Sequence, residues 1–95
     1  MEEFELEDLL RRAVGDPESV PREAKHVFSV LVKSTLEFRD QQRNVLGITV
    51  TVEDVRVALD WLLDFFRSGR LPRTEHRLRR ELFETWVSAL SAAGD

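Results

Sequence analysis

The side chains that most often do chemistry in proteins are scarce in this sequence. It contains no Cys and no Tyr, and its only histidines are His26 and His76. No serine lies in the Gly-x-Ser-x-Gly turn of serine hydrolases, and the glycines stand too far apart to form a phosphate-binding loop. The sequence therefore predicts a protein that is not an enzyme and that requires no cofactor.

One fragment has the spacing of metal ligands. Glu23 and His26 are three residues apart, which places both side chains on one face of a helix, as in di-metal helical bundles. Such bundles need a second pair of the same kind, but Arg73 occupies the matching position before His76. We therefore predict no metal site, and we interpret Glu23, His26 and His76 as exposed side chains.

Charge is strongly segregated along the chain. Residues 1–20 contain seven acids and two arginines, a net charge of −5, whereas residues 67–80 contain six arginines and one acid, a net charge of +5. The basic segment pairs with acidic protein surface, is simply solvated, or binds a polyanion. The candidate contacts with a polyanion or an acidic partner are Arg67, Arg70, Arg73, Arg77, Arg79 and Arg80.

Apolar residues recur at helical spacing in four stretches, which predict helices over about 2–14, 21–44, 52–68 and 75–92. The second predicted helix is the longest and is apolar on most sides near its middle, which is typical of a central buried element.

Local signals mark the ends of the later helices. Thr51 and Asp54 have the spacing of a capping box at the start of the third helix, and Gly69 is expected to end it. Thr74 is the expected N-cap of the fourth helix.

These features predict an all-α fold, a single domain of four helices with a long central helix. No apolar stretch is long enough to span a membrane, and the acidic N-terminal residues do not resemble a signal peptide. We therefore expect a cytoplasmic protein that is not bound to a membrane.

The third predicted helix carries two apolar faces, which is more than its neighbours within one chain are expected to cover. Aromatic side chains concentrate binding energy at protein interfaces. We therefore expect a protein partner, in a homodimer or a heterodimer. The predicted partner interface consists of Trp61, Leu62, Phe65, Phe66, Phe83 and Trp86.

Residues 49–59, Thr-Val-Thr-Val-Glu-Asp-Val-Arg-Val-Ala-Leu, resemble the junction of loop 2 and helix 3 in histone-fold proteins, which include archaeal histones and subunits of transcription complexes. The order of predicted elements over residues 1–66 is similar, and the last helix resembles the added C-terminal helix of some members. The resemblance implies an obligate handshake dimer. Because Ile48 stands where the family places a DNA-contacting Arg or Lys, it implies a transcription-complex subunit rather than a DNA-packaging protein.

A shorter likeness involves the basic segment. The run Arg-Ser-Gly-Arg-Leu-Pro at 67–72, followed by the basic residues of 77–80, is similar to the region before the wing of excisionase-like helix-turn-helix proteins. This likeness implies DNA binding, but the turn between two DNA-binding helices is missing because 55–66 is predicted as one helix.

Two functional hypotheses follow. The first is a non-enzymatic helical protein-interaction module, either self-associating or an accessory subunit or adaptor of a larger assembly. The alternative is a nucleic-acid-binding transcriptional regulator that uses the Arg-rich segment 67–80.

Overall fold

The apolar-striped segment that follows Pro21 forms the first helix, α1 (Arg22–Gln41), which continues directly into a π-helical turn, Gln42–Leu46. The computed structural model describes residues 22–93. Gly47 ends the π turn in the left-handed conformation, with φ of 67°. The helical backbone therefore extends two residues beyond the predicted end at 44.

The second helix, α2 (Val52–Ser68), has the bounds that the sequence predicted. Its capping box is confirmed: the Asp54 N–H donates to Thr51 Oγ1 at 3.2 Å, and the Thr51 N–H donates to Asp54 Oδ2 at 3.0 Å. Gly69 ends α2 as predicted, because its φ of 72° lets its N–H turn back to the Phe65 carbonyl at 2.8 Å.

The third helix, α3 (Arg77–Ala93), begins two residues after its predicted start. The prediction of Thr74 as the N-cap is wrong, because the Thr74 hydroxyl accepts from the His76 N–H, which lies before the helix, at 3.0 Å. His76 satisfies a helical donor instead: its Nδ1 accepts from the Arg79 N–H at 3.4 Å.

Helix α3 is the central element of the described residues. It packs against both α1 and α2, whereas α1 and α2 have no close backbone approach to each other within residues 22–93. The prediction that the long helix, now α1, is central is therefore wrong for this part of the chain. The core is made of Leu31, Val32, Phe38, Val50, Val55, Ala58, Leu59, Leu62, Leu82, Phe83 and Trp86.

One buried polar link crosses this core. The indole Nε1–H of Trp86 donates to Thr35 Oγ1 at 2.8 Å, and the Thr35 hydroxyl donates to the Leu31 carbonyl at 2.6 Å. Both polar groups are therefore paired where solvent does not reach, which fixes the position of α3 along α1.

The described part of the chain is all-α: it contains three helices and no strand. The first predicted helix, 2–14, lies outside the described residues, so the prediction of four helices is not confirmed. The likeness to the histone fold is not confirmed either. No helix within residues 22–93 is long and apolar enough to cross a membrane.

Candidate interaction surfaces

The aromatic residues predicted to meet a partner are divided between the core and the surface. Leu62, Phe83 and Trp86 are buried inside the chain, and we remove them from the candidate interface. Phe66 is 56% exposed and stays in it. Trp61 and Phe65 are partly buried against the core.

Packing of α3 explains this division. Phe65 meets Phe83 edge-on, with ring centroids 5.7 Å apart and an interplanar angle of 84°, a favourable aromatic arrangement. The α2 face that includes Leu62 and Phe65 is therefore covered within the chain by α3. The sequence shows which faces of a helix are apolar, but not which of them a neighbouring helix covers. The predicted partner interface was therefore too large.

The six predicted arginine contacts are also divided. The Nε of Arg79 donates to Asp54 Oδ1 at 2.8 Å, and the Nε of Arg77 donates to Glu81 Oε1 at 3.0 Å. The other four are exposed and make no ion pair with another residue of the described part; these are Arg67, Arg70, Arg73 and Arg80.

Three of these arginines lie in one stretch with two exposed apolar side chains, Phe66 and Leu71, of which Leu71 is 69% exposed. We call residues Phe66, Arg67, Arg70, Leu71 and Arg73 the arginine surface. Its residues come from the end of α2 and from the connection between α2 and α3. Aromatic and Arg side chains together are typical of the energetically important parts of protein interfaces.

A second surface was missed by the sequence analysis. Four large aliphatic residues around the α1–α2 connection are exposed, and we call them the apolar surface: Val45 (71% exposed), Leu46 (60%), Ile48 (40%) and Val52 (43%). A signal for it existed, because residues 44–52 form a run of nine residues without a charged side chain. Such an uncharged run looks like buried structure until the packing shows that most of it faces outward.

The backbone beneath the apolar surface is fixed at several points. Val50, between Ile48 and Val52, is buried in the core with 2% exposure. The N–H of Gly47 donates to the Arg43 carbonyl, and the N–H of Ile48 donates to the Gln42 carbonyl, both at 3.1 Å. The exposed aliphatic side chains are therefore presented by an ordered connection.

Asp54 joins this connection to α3. Its carboxylate accepts from the Thr51 N–H and from Arg79 on the other helix. Partial burial alone raises the pKa of Asp54, but the hydrogen bonds from Thr51 and Arg79 favour the charged form and outweigh it, so the pKa lies below its ordinary value. The side chain is ionised at neutral pH and holds both partners.

An open groove of about 510 Å³ runs beside the apolar surface. Leu46, Ile48 and Leu78 give it apolar walls, and the Arg77–Glu81 ion pair lies at its edge. The groove continues the apolar surface onto the first turn of α3. Its full lining is Gln42, Leu46, Ile48, His76, Arg77, Leu78 and Glu81.

No group of three or more His, Cys, Asp or Glu residues within residues 22–93 is placed to hold a metal ion. Every buried side-chain nitrogen or oxygen atom in this part has a hydrogen-bond partner. The side chains of Glu23 and His26 lie outside the described part, and His76 is exposed.

Comparisons with known proteins add no relative to these observations. No protein-family model, no curated protein and no solved structure matches the chain.

Proposed function

We propose that the chain is a non-enzymatic helical protein-interaction module, self-associating or an accessory subunit of a larger assembly, that binds through the apolar surface. One observation carries the proposal: four large aliphatic side chains, between 40% and 71% exposed, are grouped on an ordered connection. Single exposed aliphatic residues are common on soluble proteins, but four of them within eight consecutive residues indicate an interaction site.

The energetics support binding at this place. Burying a Val, Leu or Ile side chain completely contributes about 1.5–3 kcal/mol, so several partly exposed ones supply several kcal/mol together. Association has large costs in lost motion, which a surface that is ordered before binding reduces. Buried Val50 and the capped end of the π turn provide that order.

The proposed contact differs in place from the one that the sequence predicted. The sequence assigned the interface to the aromatic faces of the last two helices, where Leu62, Phe83 and Trp86 are buried. The apolar surface and its groove lie at the other connection and at the start of α3. The proposed function is therefore of the kind that the sequence predicted, but the proposed binding site lies elsewhere on the chain.

The test compares matched variants of the full chain by sedimentation from low to high micromolar concentration. The wild type is expected to form a defined oligomer, alone or with a stoichiometric partner, and Val45→Asp/Ile48→Asp is expected to be monomeric. Leu71→Asp introduces the same kind of change at a residue that is as exposed as Val45 but lies outside the apolar surface, and it should still associate.

Two results would contradict the proposal. One is a wild-type chain that stays monomeric at the highest concentration and is purified without a stoichiometric partner. The other is loss of association in Leu71→Asp with association retained in Val45→Asp/Ile48→Asp, since the contact would then lie on the other surface.

A second candidate function is nucleic-acid binding by the Arg-rich segment. It is favoured by the exposure of Arg67, Arg70, Arg73 and Arg80 without an ion pair in the described part. Phosphate contacts by these arginines make affinity fall steeply with salt concentration. The measurement is binding of a DNA or RNA oligonucleotide at low and at physiological salt, and absence of binding at low salt contradicts this function.

A further inference from the structure

The arginine surface combines three guanidinium groups with two exposed apolar side chains in eight consecutive residues, 66–73. Guanidinium groups form two parallel hydrogen bonds with a carboxylate, and the apolar side chains bind aliphatic or aromatic ones. A ligand that matches both properties is a polypeptide segment with alternating acidic and apolar residues. A nucleic-acid backbone would match only the guanidinium groups and one aromatic ring.

Hydrogen bonds order the start of this surface. The Ser68 hydroxyl donates to the Asp64 carbonyl at 2.9 Å and accepts from the Arg70 N–H at 3.3 Å. Gly69 ends α2 with a left-handed residue, which turns Arg70 and Leu71 away from the helix axis. Arg67 and Arg70 are therefore held on the two sides of a defined turn.

The chain itself contains a segment of the matching composition. Residues 2–14 carry apolar residues at helical spacing with acids between and beside them, and residues 1–20 have a net charge of −5. The acids of this segment are Glu2, Glu3, Glu5, Glu7 and Asp8, and its large apolar residues are Phe4, Leu6, Leu9, Leu10 and Val14. Its charge is opposite to that of the 67–80 segment.

Connection through the chain favours contact within one molecule. Residues 15–21 separate the acidic segment from the start of α1, and seven extended residues span up to about 25 Å. Two segments joined by a short linker that spans their sites meet at an effective concentration in the millimolar range, which exceeds that of a second molecule at micromolar concentration.

We propose that residues 2–14 bind the arginine surface of the same chain, with their acids paired to Arg67, Arg70 and Arg73 and their apolar residues against Phe66 and Leu71. This contact is independent of the apolar surface. It neutralises the most basic stretch of the chain, and a polyanion reaches these arginines only by displacing the acidic segment.

The absence of cysteine allows a direct test with a single spin label on the full chain. A nitroxide is attached at Asp64→Cys, which is exposed and one helical turn before Arg67 and Ser68. The control label is at Thr49→Cys, exposed beyond the opposite end of α2 and about 20 Å away along the helix. The readout is the amide NMR intensity of residues 2–14.

The expected result is that residues 2–14 lose most of their intensity with the label at Asp64→Cys and little with the control label. Adding Arg67→Glu/Arg70→Glu/Arg73→Glu should restore the intensity, and adding Glu3→Arg/Glu5→Arg/Glu7→Arg to that variant should remove it again. Lys33→Glu/Arg43→Glu/Arg56→Glu changes the net charge equally at other exposed residues and should leave the signal loss in place.

Mixing isotope-labelled chain without nitroxide and unlabelled chain with nitroxide separates contact within one chain from contact between chains. We expect residues 2–14 to keep their NMR intensity in this mixture. Loss only in the mixture would overturn the proposal and assign the segment to a second copy. Unaffected residues 2–14 in every sample would overturn it, and salt-dependent binding of a single-stranded DNA oligonucleotide would then assign the arginine surface to nucleic acid.

Discussion

The two connections between the helices of the described part have opposite properties. The connection from α1 to α2 exposes aliphatic side chains and is tied to the core through Val50 and to α3 through Asp54 and Arg79. The connection from α2 to α3 exposes arginines, and none of its residues from 69 to 76 is buried. One connection presents apolar area on an ordered backbone, and the other presents charge on a backbone held only by local hydrogen bonds.

This difference indicates two kinds of interaction. Burial of aliphatic surface acts at short range and depends little on ionic strength, whereas contacts between exposed charges are screened by salt over about 8 Å at physiological ionic strength. The apolar surface is therefore suited to a stable protein contact. The arginine surface is suited to a weaker contact that ionic conditions modulate.

The largest effect is expected at the buried residue of the first connection. Val50→Ala should lower the free energy of unfolding by about 2 kcal/mol, because two buried methyl groups are removed from the core. Leu71→Ala in the second connection should change it by less than about 0.5 kcal/mol. Urea denaturation of both variants measures the difference. Equal losses in the free energy of unfolding would show that the two connections are tied to the core to the same extent.

Asp54 is expected to give the next effect. Asp54→Asn should lower the free energy of unfolding by about 1.5 kcal/mol at neutral pH, since the carboxylate accepts from the Thr51 N–H and from Arg79. The exposed Asp64→Asn, on the same helix, is the matched control and should have little effect.

The effect of Asp54 should depend on pH with a defined sign. The pKa of this carboxyl is lower in the folded chain than the ordinary value of 3.8, so its stabilisation is complete well above that value and is lost as the pH falls through the folded pKa. The gap between wild type and Asp54→Asn should therefore narrow below about pH 4. A gap that widens in acid would mean that the Arg79 contact does not stabilise the charged form.

A smaller and equal effect is expected at the glycines that begin the connections. Gly47 and Gly69 have φ of 67° and 72°, and an added Cβ would meet no atom within 4 Å at either position. Replacement by Ala should therefore cost about 1 kcal/mol at each, from backbone conformation alone. Thermal unfolding of both variants measures this, and a neutral Gly47→Ala would show that the π turn has another way to end.

The smallest effects on stability are expected at the surfaces themselves. Ile48→Asp and Arg73→Gln should each change the free energy of unfolding by less than about 0.5 kcal/mol, because both side chains are exposed. Their effects on binding should differ. The loss of association in Ile48→Asp should persist at high salt, whereas Arg73→Gln should weaken the binding of acidic ligands at low salt and not at high salt. A stability loss in Ile48→Asp comparable to that of Val50→Ala would mean that the residue is structural.

Local features of the sequence were sufficient for both ends of α2. Thr51, Asp54 and Gly69 act through partners within four residues, and the bounds of α2 were predicted from them. Gly47 was not recognised as a helix end, because its left-handed conformation follows a π turn that no local pattern announces. The first predicted helix stays a prediction.

Contacts between residues far apart in the chain could not be predicted from the sequence. Arg79 and Asp54 are 25 residues apart, and Trp86 and Thr35 are 51 residues apart. The first pair removes an arginine from the predicted basic site, and the second places a predicted interface residue in the core. Which apolar residues remain outside, such as Ile48 beside buried Val50, depends on the packing of α3 and not on residue type.

The most direct test of the account is a methyl NMR titration of the wild-type chain, in which concentration is raised or the purified partner is added. We expect shift changes concentrated in the methyl groups of Val45, Leu46, Ile48 and Val52, with Val50 and Leu59 in the core little changed. Changes confined to other exposed methyl groups, such as those of Leu71, or no change at any concentration and with any stoichiometric partner, would contradict it.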